Sequence, residues 1–181
     1  WTEWLAVASE RAAERIAALR RAADRCAELG EQDLDFLYDA DRHLLAIGYN
    51  LDARRRDPSY YDLLASECRL GSFLGVARGQ LPLDHWFHLG RRLAPGGGAP
   101  VLASWSGSMF EYLMPMLVMP SYDGTLLHAT CRGAVRRQIR YGRETGIPWG
   151  ISESGYNQLD AGHVYQYRPF GVPMLGMKRG L

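Results

Sequence analysis

The stretch GTLLHATCRGAVRRQIRYGRETGIPWGISESGYN, Gly124 to Asn157, divides at Gly146. Its first part reads as an amphipathic helix, closed by Gly146 and Pro148. Its second part, Ile147 to Asn157, sets one carboxylate, Glu153, between Ser152 and Ser154, with glycines at 150 and 155 and rings at Trp149 and Tyr156. A solvated loop does not normally carry so much apolar surface, and a core strand does not normally carry a lone acid. Helices joined by long, aromatic, glycine-containing loops make a scaffold on whose connections a site is built.

The rest of the chain repeats that pattern. Leu5, Ala8, Ala12, Ile16, Leu19, Ala23 and Cys26 follow at steps of three and four until Gly30, which predicts an amphipathic helix packing on its neighbours. Two apolar runs flank Asp39, Ala40 and Asp41 and predict a β-hairpin. Asp57 ahead of Pro58, an N-cap followed by an N1 proline, predicts a helix from about Pro58 to Ala77. LPLDHWFHLGRRL predicts a shorter helix. APGGGAP, Ala94 to Pro100, lacks the lysine and hydroxyl residue of a phosphate-binding loop and reads as a plain connector. VLASWSG suits a short strand or an extended loop, and SMFEYLMPMLVM a helix that Pro115 kinks or breaks. The tail, rich in Gly, Pro and aromatic residues, suits irregular structure or a hairpin. The fold class expected is mainly α with small β excursions.

The chain has 181 residues, 47% hydrophobic and 23% charged, enough for one domain with a real core. A formal net charge of +1 gives no general electrostatic case for nucleic acid, and RGAVRRQIRYGR reads as a solvated or internally paired helix face. Only Lys178 among the 21 basic residues is a lysine, so guanidinium groups dominate. The three cysteines have no metal or disulfide spacing and suit free thiols in a reducing compartment. No signal peptide is seen, and the most apolar run, MFEYLMPMLVM, is too short for a bilayer. The segment is expected to be soluble and a piece of a longer protein. His85 and His88 stand three apart beside Asp84 with no third ligand, which suits partly exposed helix histidines. No metal or other cofactor is expected.

Three acids stand in apolar or aromatic settings. On a helix from Pro58, Glu67 falls within the stripe Tyr60, Leu63, Leu70, Leu74 and Ala77, and Asp62 projects elsewhere. Glu111 lies in WSGSMFEYLMP, and Glu153 in its glycine-flanked loop. Each acid singly also fits a structural salt bridge with an arginine. Together they suggest a cleft holding several carboxylates. Tyr60, Tyr61, Trp105, Tyr112, Trp149 and Tyr156 lie near them in sequence. Flat rings stacking on C–H faces, with carboxylates accepting hydroxyl hydrogen bonds, suit a sugar cleft, and two carboxyls flanking a glycosidic bond can break it. Core filler is the competing reading of the aromatic residues.

FLYDADRHLLAIGYN, DPSYYDLLASECRLGSF, LPLDHWFHLGR, LASWSGSMFEYLMPMLVM, RQIRYGRETGIPWGISESGYN and YQYRPFGVPMLGMKRGL, in this order from Phe36 to Leu181, closely resemble the glycoamylase-like middle domain of cyclic β-1,2-glucan synthases. The resemblance implies an (α/α)6 barrel of which this chain supplies about half, with residues 1–35 a lead-in helix and 36–181 the N-terminal part of the domain. It implies a parent of the inner membrane, with this domain on the cytoplasmic face between a glycosyltransferase region and a phosphorylase-like region. It implies a transglycosylase, similar to endo-β-1,2-glucanases, that cuts linear β-1,2-glucan and joins the new end to the chain's own far end. By motif, Glu67 of YYDLLASE is the general acid/base and Glu153 of GISES the nucleophile. Asp62, Glu111 and Arg168 would bind hydroxyls or orient that pair. Tyr61, Trp105, Tyr112, Trp149 and Tyr156 would contact sugar. A buried Glu67 would suit an acid that stays protonated near neutral pH. The rival readings are an inverting endo-β-1,2-glucanase and a non-catalytic glycan-binding fragment.

Overall fold

A computed structural model describes residues 1–96, 98–168 and 171–177, and only the backbone at 66, 155–157 and 168. The chain forms two compact units, Trp1–Asp35 and Phe36–Leu181. The first is built on helix α1, Thr2–Leu29, none of whose residues is buried.

The chain is mainly α, and in the second unit two-stranded antiparallel ribbons lie between the helices. Ribbon β1, Tyr38–Asp39, pairs with β2, Leu44–Leu45, and Asp39 Oδ1 closes the turn by accepting the amides of Asp41 and Arg42. Ribbon β3, Tyr49–Asn50, pairs with β4, Arg55–Arg56. Helices α2, Ser66–Ala77, and α3, Leu83–His88, follow. Strand β5, Leu93–Pro95, pairs with β6, Pro100–Leu102, so the glycine-rich segment joins the arms of a hairpin. Helix α4, Met109–Leu113, passes into a 3-10 turn, Met114–Leu117, at Pro115, where a proline inside a helix removes a donor. Helix α5 spans Leu126–Thr145. The Thr125 side chain accepts the amide of His128 at its start, and Gly146 ends it in the left-handed conformation, φ 70°. The tail is a hairpin, β7, Ser154–Leu159, with β8, Tyr165–Arg168.

One expectation fails at a place that matters. Pro58 to Ala65 is not helical: isolated bridges at Tyr60 and Asp62 are followed by a turn at Leu63 and Leu64. Ala46 bridges Tyr60, and Asp62 bridges Gly90, which sends Leu63 and Leu64 into the core. Those tertiary bridges outweigh the local Asp57–Pro58 signal, and α2 starts eight residues later than Pro58, at Ser66.

The core joins Leu63, Leu64 and Cys68 to Leu89, Val101, Leu102, Tyr112, Ala134, Val172 and Leu175. It thus spans α2, β6, α4, α5 and the segment 171–177. Buried Arg69 sends Nη2 to the carbonyls of Glu111 and Tyr112, the last turn of α4, where a cation suits the helix dipole. Among the described residues no helix is long and apolar enough to cross a membrane, and no group of three His, Cys, Asp or Glu side chains is arranged to hold a metal ion.

Candidate active site

A cleft of about 750 Å³ opens on the second unit. Asp62, Glu67, Glu111 and Glu153 line it, with Tyr60, Tyr61, Trp105 and Phe110. Four acids meet there because three segments converge: residues 60–67, which lead into the first turn of α2, the 104–111 turn, and the start of the last hairpin.

Glu67 stands in the first turn of α2 and is exposed. The buried apolar stripe expected for it does not form, since the helix begins only one residue earlier, and the argument from burial for a protonated Glu67 falls away. The Tyr61 phenol hydrogen-bonds to Glu67. Burial first, then the Glu67 charge and that hydrogen bond, raise the Tyr61 phenol above its usual value. Tyr61 therefore serves as a partner of Glu67 as well as a wall of the cleft.

Glu153 sits directly before β7 and is half-buried. Its approach is fixed from two sides. Gln138 of α5 accepts the amides of Gly150 and Ile151 at 3.1 and 2.8 Å and donates to the Ile151 carbonyl at 2.9 Å. The first turn of α4 adds Met109 N–H to the Ile151 carbonyl and Phe110 N–H to Ser152 Oγ, both at 3.0 Å. The Tyr167 hydroxyl donates to Glu153 Oε2.

Asp62 turns Oδ1 onto the amides of Leu64 and Ala65 at 2.8 and 3.1 Å, which shapes the chain into α2. Burial raises its carboxyl above the usual aspartate value; the two amides oppose the rise and the Glu111 charge adds to it.

Glu111 is buried and occupied. It accepts the amides of Trp105 at 2.9 Å, Ser106 at 3.1 Å and Ser108 at 3.0 Å. It also accepts the hydroxyls of Ser104 at 3.1 Å, Ser108 at 2.9 Å and Ser106. Neither a salt bridge nor hydroxyl binding describes it: six donor groups fill its lone pairs, and it closes the turn beneath Trp105. Ser108-x-x-Glu111 is a capping box, a signal present in the sequence.

The aromatic residues divide. Trp105, 61% exposed, offers an open face on the cleft. Tyr112 is fully buried and cannot stack on a sugar; its hydroxyl bonds to the Leu102 and Leu175 carbonyls at 2.9 and 3.0 Å, and burial pushes its phenol up to about 12. Trp149 is exposed but is not among the residues lining the cleft. The side chains of Tyr156 and Arg168 lie outside the described residues.

Of the two helix histidines, His88 is exposed as expected and His85 is not. His85 is fully buried. Its Nδ1 lies 3.0 Å from the His43 carbonyl, which only accepts, so Nδ1 carries the proton and Nε2 accepts from Ser72 Oγ at 2.7 Å. Burial lowers its basicity, with a small further push from His88. His88 lines the cleft, its ring 4.5 Å from that of His43.

No family model matches the chain. Over 149 residues, 82% of this chain, it is 52% identical to the cyclic beta-(1,2)-glucan synthase NdvB of Rhizobium meliloti, of which the match covers 5%. The chain thus spans a small fraction of that relative's length. By this identity the 181 residues are related to a segment of a cyclic β-(1,2)-glucan synthase.

Proposed function

We propose that residues 36–181 are the N-terminal part of an (α/α)6 glycan-cleaving domain in a larger cyclic β-1,2-glucan synthase, and that the domain converts linear β-1,2-glucan into rings. The observation that carries this reading is the meeting of Glu67 and Glu153 on one cleft beside the open ring of Trp105. The identity to NdvB supports the choice of glucan.

Glu153 attacks the anomeric carbon from one face while Glu67 gives a proton to the departing glycosidic oxygen. In the second half, Glu67 takes the proton of a sugar hydroxyl at the chain's own far end, and that oxygen displaces Glu153. Asp62 accepts from a sugar hydroxyl, and Trp105 and Tyr61 receive pyranose faces. Transfer wins over hydrolysis because ordered sugar, not water, fills the acceptor side.

The test is product analysis. In the protein carrying this segment, Glu153→Gln and Glu67→Gln each abolish ring formation from linear β-1,2-glucan while glucan still binds in calorimetry. Near-normal ring formation by either variant removes that residue from the mechanism.

A further inference from the structure

We infer that Tyr167 is a positioning residue for Glu153, holding one carboxylate oxygen so that the other is presented to the anomeric carbon. The inference rests on the nucleophile role proposed above for Glu153. Tyr167 itself does not line the cleft. It lies on β8 with its backbone in register with Gly155 of β7, two residues beyond Glu153. From there its hydroxyl donates to Glu153 Oε2. The bond raises the Tyr167 phenol above its usual value, and the nearby charges of Glu153 and Glu111 act in the same sense. The phenol therefore keeps its proton, and with it the bond, throughout the neutral range.

A carboxylate on a short connection has two equivalent oxygens and free rotation about its last bonds. The hairpin breaks that equivalence. Oε2 is held by the phenol, and Oε1 forms the bond to the anomeric carbon as the C–O bond to the leaving sugar breaks. The electron pair goes to the leaving oxygen, which takes its proton from Glu67. Oε2 becomes the carbonyl oxygen of the glycosyl ester and still accepts from Tyr167. The phenol transfers no proton at any stage. It orients the carboxylate before attack and fixes the ester plane afterwards.

Tyr165 supplies the control. It stands two residues away on the same strand, is 66% exposed, and has no role in the proposed chemistry. In the protein carrying this segment, Tyr167→Phe is expected to lower kcat for linear β-1,2-glucan about 10- to 100-fold, the scale of one hydrogen bond to a charged group. KM stays within about twofold. Tyr165→Phe keeps wild-type values, and both variants keep the wild-type melting temperature. Wild-type kcat in Tyr167→Phe overturns the inference, as does a loss carried by KM. If Glu153→Gln retains activity, the nucleophile assignment itself has failed; if Glu153→Gln is inactive while Tyr167→Phe matches Tyr165→Phe, only the positioning role has failed.

Discussion

Gln138 grips the peptide of Ile151 at both ends, accepting its amide at 2.8 Å and donating to its carbonyl at 2.9 Å. Gln138 is fully buried on α5, so the helix carries the segment that delivers Glu153. Gln138→Leu keeps much of the volume and removes the acceptor of the Gly150 and Ile151 amides. Gly150 is exposed and its amide turns to water, whereas that of part-buried Ile151 is left unsatisfied, so the loss is about 1–3 kcal/mol. Urea unfolding measures it. An unchanged midpoint would show that the clamp contributes nothing to stability.

Glu111→Gln tests the turn above α4. The donors around Glu111 all point inward, and an amide brings its own N–H groups among them. A cost of about 2–4 kcal/mol lowers the melting temperature by roughly 5–15 °C for a domain of this size. Scanning calorimetry decides it. A variant as stable as the parent would mean that the six donors find other partners.

Azide separates the roles of the two proposed catalytic acids. With Glu153→Ala and an activated β-glucan donor, azide enters by a single displacement and yields the α-glycosyl azide. With Glu67→Ala the covalent intermediate still forms, and azide yields the β product. NMR of the products reads the configuration, and the reverse pattern exchanges the two roles.

His85 makes stability depend on pH. Its folded-state value lies below its ordinary value of 6.5, because burial disfavours the cation. Below that ordinary value the unfolded chain takes up a proton that the folded chain refuses. Stability therefore falls as pH drops from about 7, by at most about 1.4 kcal/mol per pH unit for this one group, and levels off beneath the folded value. Urea midpoints between pH 8 and pH 5 measure the slope. His85→Gln is less stable at pH 8 but has a shallower slope; an equal slope would locate the pH dependence elsewhere.

Much of the scaffold was legible in the sequence. The Gly124–Gly146 run carried both ends of α5, Pro115 marked the break after α4, and the hairpin at Asp39–Asp41 followed from its turn residues. The error at Pro58 was also physical. An N-cap signal is local, whereas the strand-like bridges to Ala46 and Gly90 come from residues far along the chain in both directions. That error moved Glu67 from a buried stripe to an exposed first turn. Tyr112 misled for a similar reason: an aromatic ring beside an acid reads the same whether it faces a ligand or a core, and only the carbonyls of Leu102 and Leu175 decide. Tyr167 went unread because nothing local in YQYR pairs it with Glu153; the β7–β8 register does that.

The backbone of the Ser104–Ser108 turn lies flush against the chain at 171–177. The Ser104 amide donates to the Leu175 carbonyl and the Met177 amide to the Ser104 carbonyl, and a methyl group on Gly171 would collide with the peptide of Gly107, itself at φ 81°. A truncation ahead of Gly171 would remove the buttress behind the turn that seats Glu111 and Trp105. Such a shortened protein would behave as an active-site mutant while retaining both Glu67 and Glu153, so its inactivity would report a lost foundation instead of lost chemistry.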